Sequence, residues 1–178
     1  MKTFLITDTH FNHAKVIEYC DRPLDFEERI LKNCLDMIKE DDTLIHLGDI
    51  CIGNDKESHA KYIEPIKGTK ILVRGNHDKR SDNWYLNHGW DFVCDSFTGT
   101  YFGKKVLFSH TPQIDKGDFD LNIHGHLHNK LYRIQYDGGE MNMEFARRLT
   151  DKHKLLSIEY ADYKPFLLTD QFNLPVKK

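Results

Sequence analysis

Five short apolar runs in this chain each stop at a cluster of histidine, aspartate or asparagine. The clusters are Asp8-Thr9-His10, Gly48-Asp49, Gly75-Asn76-His77-Asp78, Ser109-His110 and His124-Gly125-His126-Leu127-His128. Short apolar runs bounded by turn residues read as buried strands. A sheet that brings the ends of such strands together would gather these imidazoles and carboxylates in one pocket. Open α/β sheets place their ligands at the carboxyl ends of strands, and these side chains hold borderline divalent metals.

The first half of the chain reads as strand, helix, strand, helix, strand. The strands fall at residues 3–7, 43–47 and 70–74, and the helices at 26–39 and 56–63. An irregular stretch runs from the first strand through Arg22-Pro23. Asp25 can cap the first helix, and Glu28 completes a capping-box pattern. Phe26, Ile30, Leu31, Cys34, Leu35 and Ile38 form one apolar stripe along it. In the second half, strands are expected at 92–94, 98–102, 106–109, 121–124, 131–136 and 155–160. Turns are expected at Gly103-Lys104-Lys105 and Asp137-Gly138-Gly139. Residues 140–154 fit a helical turn or a loop. The pattern predicts an α/β or mixed sandwich of two face-to-face sheets with helices outside. A chain of 178 residues makes one domain, 1–178.

Charge narrows the partners. The net charge is −3 and the basic residues are dispersed, apart from the terminal pair Lys177-Lys178. That gives no strong nucleic-acid-binding surface, although a nucleotide or short oligonucleotide stays open as substrate. No apolar run approaches a membrane span, and the N-terminus turns polar too soon for a secretory signal. Cys20, Cys34, Cys51 and Cys94 lack paired spacing and read as reduced thiols of a cytoplasmic protein. The sequence does not choose between monomer and homodimer.

Most of the clusters have a structural reading when taken singly. Asp8 and His10, two apart at a strand end, point to one side and can share a metal ion, but Asp8 capping a turn is the better reading of that triplet alone. Asp49 alone reads as a turn aspartate, and His46, inside its strand, as a buried histidine that ligates nothing. Gly75 permits a sharp turn. Asn76 offers a carbonyl oxygen to a metal, and His77 can protonate a leaving group. Asp78 can orient His77 or cap the next turn. His110 alone is ordinary. His124, His126 and His128 are harder to dismiss, because three imidazoles so close are costly if protonated together and a shared cation removes that cost.

In order, Asp8-x-His10, Gly48-Asp49, Gly75-Asn76-His77-Asp78, His110 and Gly125-His126-x-His128 resemble the calcineurin-like metallophosphoesterase superfamily. All five blocks are present, across residues 8–128. The stretches TDTHFNHAKVIEYCDRP and IEYADYKPFLL are similar to the small bacterial and phage phosphoesterases of that group. The resemblance implies a four-layer αββα sandwich, two mixed β-sheets flanked by helices, with a two-metal site at the sheet edges. It implies Asp8, His10 and His128 around one ion, and Asn76, His110 and His126 around the other, with Asp49 bridging both. His77 would assist the leaving oxygen. Asp78, and His124, which falls outside the motif, are candidates to stand behind the ligands. His13 and Arg22 are candidates for contact with substrate phosphate. Helix capping by His13 and a surface salt bridge for Arg22 are the structural alternatives.

A mixed oxygen and nitrogen ligand set suits Mn, Fe, Ni, Co or Zn and is too rich in imidazole for Mg or Ca. The resemblance favours Mn(II). Two such ions about 3.5–4 Å apart can share a hydroxide, lower its pKa and neutralise phosphoryl oxygens. The expected function is a dinuclear-metal-dependent phosphoesterase, in first place a phosphodiesterase acting on a small, nucleotide-like phosphoester. The alternatives are a phosphomonoesterase of the same fold and a non-catalytic, metal-stabilised binding module. A module would be expected to have lost ligands, and none is lost. Ile50-Cys51-Ile52-Gly53 stands where protein serine/threonine phosphatases carry Tyr-Val-Asp-Arg-Gly, so the arginine that grips phosphate there is absent.

Overall fold

The computed structural model describes residues 1–114, 117–129 and 148–172. Among these residues the strands are β1 (Thr3–Ile6), β2 (Thr43–His46), β3 (Thr69–Val73), β4 (Phe92–Cys94), β5 (Ser96–Tyr101), β6 (Lys104–Ser109), β7 (Leu121–His124), β8 (His153–Leu155) and β9 (Phe166–Leu167). They form two mixed sheets. One has the order β4-β3-β2-β1-β9, parallel except for β9; the other is β5-β6-β7-β8, parallel except for β5. The α-helices are α1 (Ala14–Cys20), α2 (Phe26–Met37), α3 (Asp55–Ser58) and α4 (Asp82–Leu86), and α3 continues into a π-helical turn, His59–Ile63. Among the described residues no helix is long and apolar enough to cross a membrane.

The two-residue period of the strands explains the layers. Leu5, Ile45 and Val73 face the second sheet and pack with Val106, Phe108 and Ile123. Their neighbours Phe4, Ile6, Leu44 and Leu72 face the other way, onto Val16 and Cys20 of α1 and Phe26, Ile30 and Cys34 of α2. The first sheet is thus buried on both faces, as a parallel sheet requires. Its strand ends, with those of β6 and β7, point every polar cluster in one direction.

The expected two-sheet α/β architecture is present, with local corrections. The stretch read as irregular contains α1. It is only seven residues long and starts without a side-chain cap, so it carries little local signal. Asp25 makes no capping hydrogen bond; its carboxylate accepts from Arg29 Nε at 2.9 Å. Leu35 drops off the buried stripe at 41% exposure. The short helix α4 and strand β9 were not anticipated. The loop of the β5–β6 hairpin is Phe102-Gly103, both with positive φ, one residue earlier than expected. The strand expected over 155–160 does not form. β8 pairs with β7 only as far as His124↔Leu155, and residues Ile158–Ala161 make a 3-10 turn. The strand expected at 131–136, the turn at 137–139 and most of 140–154 lie outside the described residues.

Candidate metal centre

Beyond β1 and β2 the chain continues as two loops lying side by side. Asp8 N–H donates to Gly48 O at 2.9 Å, His10 N–H to Asp49 O at 3.0 Å and Phe11 N–H to Ile50 O at 2.8 Å. Asp8 and His10 therefore do not converge through the alternation of a strand. Both sit in the left-handed region, at φ 52° and 48°. Asp49, His126 and His128 are left-handed too, at 58°, 71° and 51°. Such backbone costs a non-glycine residue on the order of 1–3 kcal/mol, and it gathers where the surrounding structure enforces a functional geometry.

The loops bring two groups together. Asp8, His10 and His128 form one, and Asp49, His110 and His126 the other. Protein hydrogen bonds hold one oxygen of each carboxylate. Asp8 Oδ2 accepts from Thr7 Oγ1 at 2.6 Å and His126 N at 2.9 Å, and Asp49 Oδ1 accepts from His77 N at 2.9 Å. The other oxygens face imidazoles. Asp8 Oδ1 lies 3.9 Å from His10 Nε2 and 3.7 Å from His128 Nε2. Asp49 Oδ2 lies 3.7 Å from His10 Nε2, 3.3 Å from His110 Nε2 and 3.9 Å from His77 Nε2. Asn76 Oδ1 and His126 Nδ1 stand 3.0 and 3.1 Å from His110 Nε2.

Two glycines admit these carboxylates. A Cβ on Gly75 would fall 2.2 Å from Asp49 Oδ1, and one on Gly125 would fall 2.3 Å from Asp8 Oδ2 and 2.0 Å from Thr7 Oγ1. Gly75 has no positive φ, so close approach, not a special turn, demands it. Asp78 neither orients His77 nor caps the next turn. It is buried and binds backbone: Oδ2 accepts from Asp49 N at 2.8 Å and Gly75 N at 2.7 Å, and Oδ1 from Ile50 N at 3.1 Å. It clips the second cluster to the third.

The electrostatics suit a cation. Burial lowers the pKa of His10 far below the usual histidine value, and His128 lowers it further. Burial acts on His128 in the same direction, but Asp8, Cys20 and Glu159 overcome it and raise His128 to about 10. The second group repeats the pattern. Burial and His110 lower His126. His110 is raised to about 9, because Asp49 and Asp8 outweigh its burial. Burial would raise Asp49, but the hydrogen bond and charge of His110 hold it below the usual carboxylate range. In each group one imidazole is thus pushed up and the other down, and metal binding displaces protons from ligating imidazoles. Asp8 Oδ1 and both ring nitrogens of His10 are buried without a hydrogen-bond partner. Buried polar atoms are otherwise paired as a rule, so these residues fit a metal ion.

The remaining expectations divide. His77 stands at the mouth, its side chain 44% exposed. His124 is buried, bonded through Nδ1 to Gly125 O at 3.0 Å, and joins neither group. His46 ligates nothing: its Nε2–H reaches Thr9 Oγ1 and its Nδ1 accepts from Gly48 N, and burial lowers it to about 3. The His13 ring lies 5.4 Å from that of His10, and it does not cap α1. Arg22 departs from both of its readings. Its side chain is fully buried, and its donors go to Asp8 O (2.7 Å), Thr9 O (2.9 Å) and Glu159 Oε1 (2.6 Å), so it is no surface salt bridge and does not meet the cleft. Glu159 is the residue that sequence reasoning missed. The similarity of IEYADYKPFLL to small phosphoesterases marked its segment but gave it no role. Cys20, His128 and Glu159 also cluster, but the Arg22 guanidinium already neutralises that carboxylate.

Paired carboxylate–imidazole groups at the ends of two packed mixed sheets define an α/β protein with a donor set that could hold metal ions. The chain belongs to the calcineurin-like phosphoesterase family, whose model matches residues 1–156. It is 29% identical over 180 residues to the uncharacterized protein MJ1445 of Methanocaldococcus jannaschii, covering 94% of this chain and 87% of that protein. The crystal structure of a protein of unknown function, AQ665 from Aquifex aeolicus, superposes with a TM-score of 0.69 at 30% identity, over 95% of this chain and 96% of that one. The E. coli phosphoesterase Yfce is a more distant neighbour, with a TM-score of 0.44 and 16% identity over 72% of this chain and 70% of that one.

Proposed function

We propose that this protein is a dinuclear-metal-dependent phosphodiesterase acting on a small phosphoester of nucleotide size. The observation that carries this reading is the position of Asp49 Oδ2, 3.7 Å from His10 Nε2 and 3.3 Å from His110 Nε2. One carboxylate oxygen faces an imidazole from each group, so Asp49 is the residue that would be shared between two ions. Asp8, His10 and His128 would hold one ion and Asn76, His110 and His126 the other. When bound, two divalent ions, with Mn(II) preferred, supply an activated water and neutralise phosphoryl charge.

The residues of the chain supply the rest. His77 lies across the mouth, its backbone N–H fixed on Asp49 Oδ1, and its exposed ring gives a proton to the leaving oxygen. Asp8, His10 and His128 are buried, whereas Asn76 and His77 are exposed and His126 half-buried. Substrate therefore approaches from the Asn76–His77–His126 side. The cysteines are unpaired, which supports a reducing, cytoplasmic setting.

The test is hydrolysis of bis-p-nitrophenyl phosphate by protein stripped with chelator and reloaded with Mn(II), with the monoester in parallel. Activity should vanish on stripping, return with metal and favour the diester. Faster monoester turnover would make the protein a phosphomonoesterase. Binding of about two ions without hydrolysis under any metal would make it a binding module.

A further inference from the structure

The two groups differ in what stands behind them. His110 donates its Nδ1–H to a backbone carbonyl, Leu47 O, at 2.7 Å. His128 instead places Nδ1 3.3 Å from a carboxylate oxygen, Glu159 Oε1. Glu159 lies beyond residues 1–156, which the family model matches. A carboxylate can only accept, so the Nδ1–H is directed to Glu159, with Arg22 Nη2 also 3.5 Å from Nδ1, and Nε2, 3.7 Å from Asp8 Oδ1, is the nitrogen that would meet an ion.

Glu159 is itself fixed. Ser157 Oγ donates to its Oε2 at 2.7 Å, and Arg22 Nε and Nη2 reach its Oε1 at 3.0 and 2.6 Å. The same guanidinium holds the carbonyls of Asp8 and Thr9, in the loop that presents Asp8 and His10. A single buried network therefore supports all three members of this group. A carboxylate behind a ligating histidine fixes the ring and raises its basicity more than a neutral carbonyl does.

The structure assigns Glu159 as the positioning residue of His128, making the Asp8–His10–His128 group the tighter of two ion sites. The assignment rests on the two-ion reading proposed above. The test titrates chelator-stripped wild type, Glu159→Gln and Ser157→Ala with Mn(II), following free Mn(II) by electron paramagnetic resonance and folding by circular dichroism. In Glu159→Gln the tighter ion should weaken by roughly 10–100-fold while the other keeps its affinity. The Mn(II) concentration for half-maximal activity should rise in step with that loss of affinity. Ser157→Ala should weaken the same ion by less. Wild-type affinity for both ions in whichever variant folds would overturn the assignment, as would an equal loss of both, which marks a purely structural role. Wild type that binds no Mn(II) would instead sink the two-ion reading itself.

Discussion

The Asp8–His10–His128 group and the Asp49–His110–His126 group have the same composition but opposite surroundings. The first is buried and braced by Arg22 and Glu159. The second opens toward solvent through His126, Asn76 and His77, and rests on a backbone carbonyl. On the proposed function, the difference would separate two tasks: holding an ion tightly, and leaving room for a phosphoryl group to arrive. Asp49 joins the halves, because its Oδ2 faces both.

Removing that junction should have the largest effect. Asp49→Asn should depress turnover by several kcal/mol of transition-state stabilisation, on the order of 10³-fold or more, and should loosen metal at both groups. Metal content by atomic emission alongside kcat tests this, and a variant that keeps two tight ions would show that the halves are independent. His77→Ala should cost about 10²-fold in kcat on a diester with a poor leaving group and little with p-nitrophenolate, at unchanged metal content. An equal loss on both substrates would deny His77 its role as proton donor.

Packing should follow in size. Gly125→Ala drives a methyl into Thr7 and Asp8, so it should destabilise the protein by about 3 kcal/mol and strike the buried group first. A melting temperature within experimental error of wild type would show that the loops yield where they are described as tight.

The smallest effect contrasts site histidines with core histidines. His59 is buried among Trp84, Tyr85 and Trp90, and burial lowers it to about 4. The unfolded chain takes up a proton near pH 6.5 that the folded one refuses until about pH 4. The stabilising contribution is therefore complete above the unfolded value and is lost as pH falls from 6.5 toward 4, by about 2 kcal/mol between pH 7 and 5. His59→Gln should flatten the fall in melting temperature over that interval, and an unchanged slope would assign the acid sensitivity elsewhere.

Much of the site was legible because its chemistry is concentrated. Each block joins an apolar run to residues whose side chains have few other uses in combination, and the order of blocks narrows the reading further. Local signals did less well. The helix α1 was missed because its seven residues carry no cap, and a strand was expected where β8 stops with its partner β7. Asp25, with a sound capping pattern, spends its carboxylate on Arg29.

The sequence by itself determined the two sheets, the strand ends and the candidate donors, because period-two burial and side-chain chemistry are local properties. The resemblance already implied how the donors divide, and only the tertiary structure decided what stands behind them. Whether Arg22 meets substrate or holds Asp8, Thr9 and Glu159 depends on burial, and 137 residues separate it from the carboxylate it binds. Left-handed loops, not strand pleating, converge Asp8 and His10, and Gly75 and Gly125 are required by what approaches them from other parts of the chain. Those contacts exist only after the chain has folded back on itself, so no local pattern encodes them.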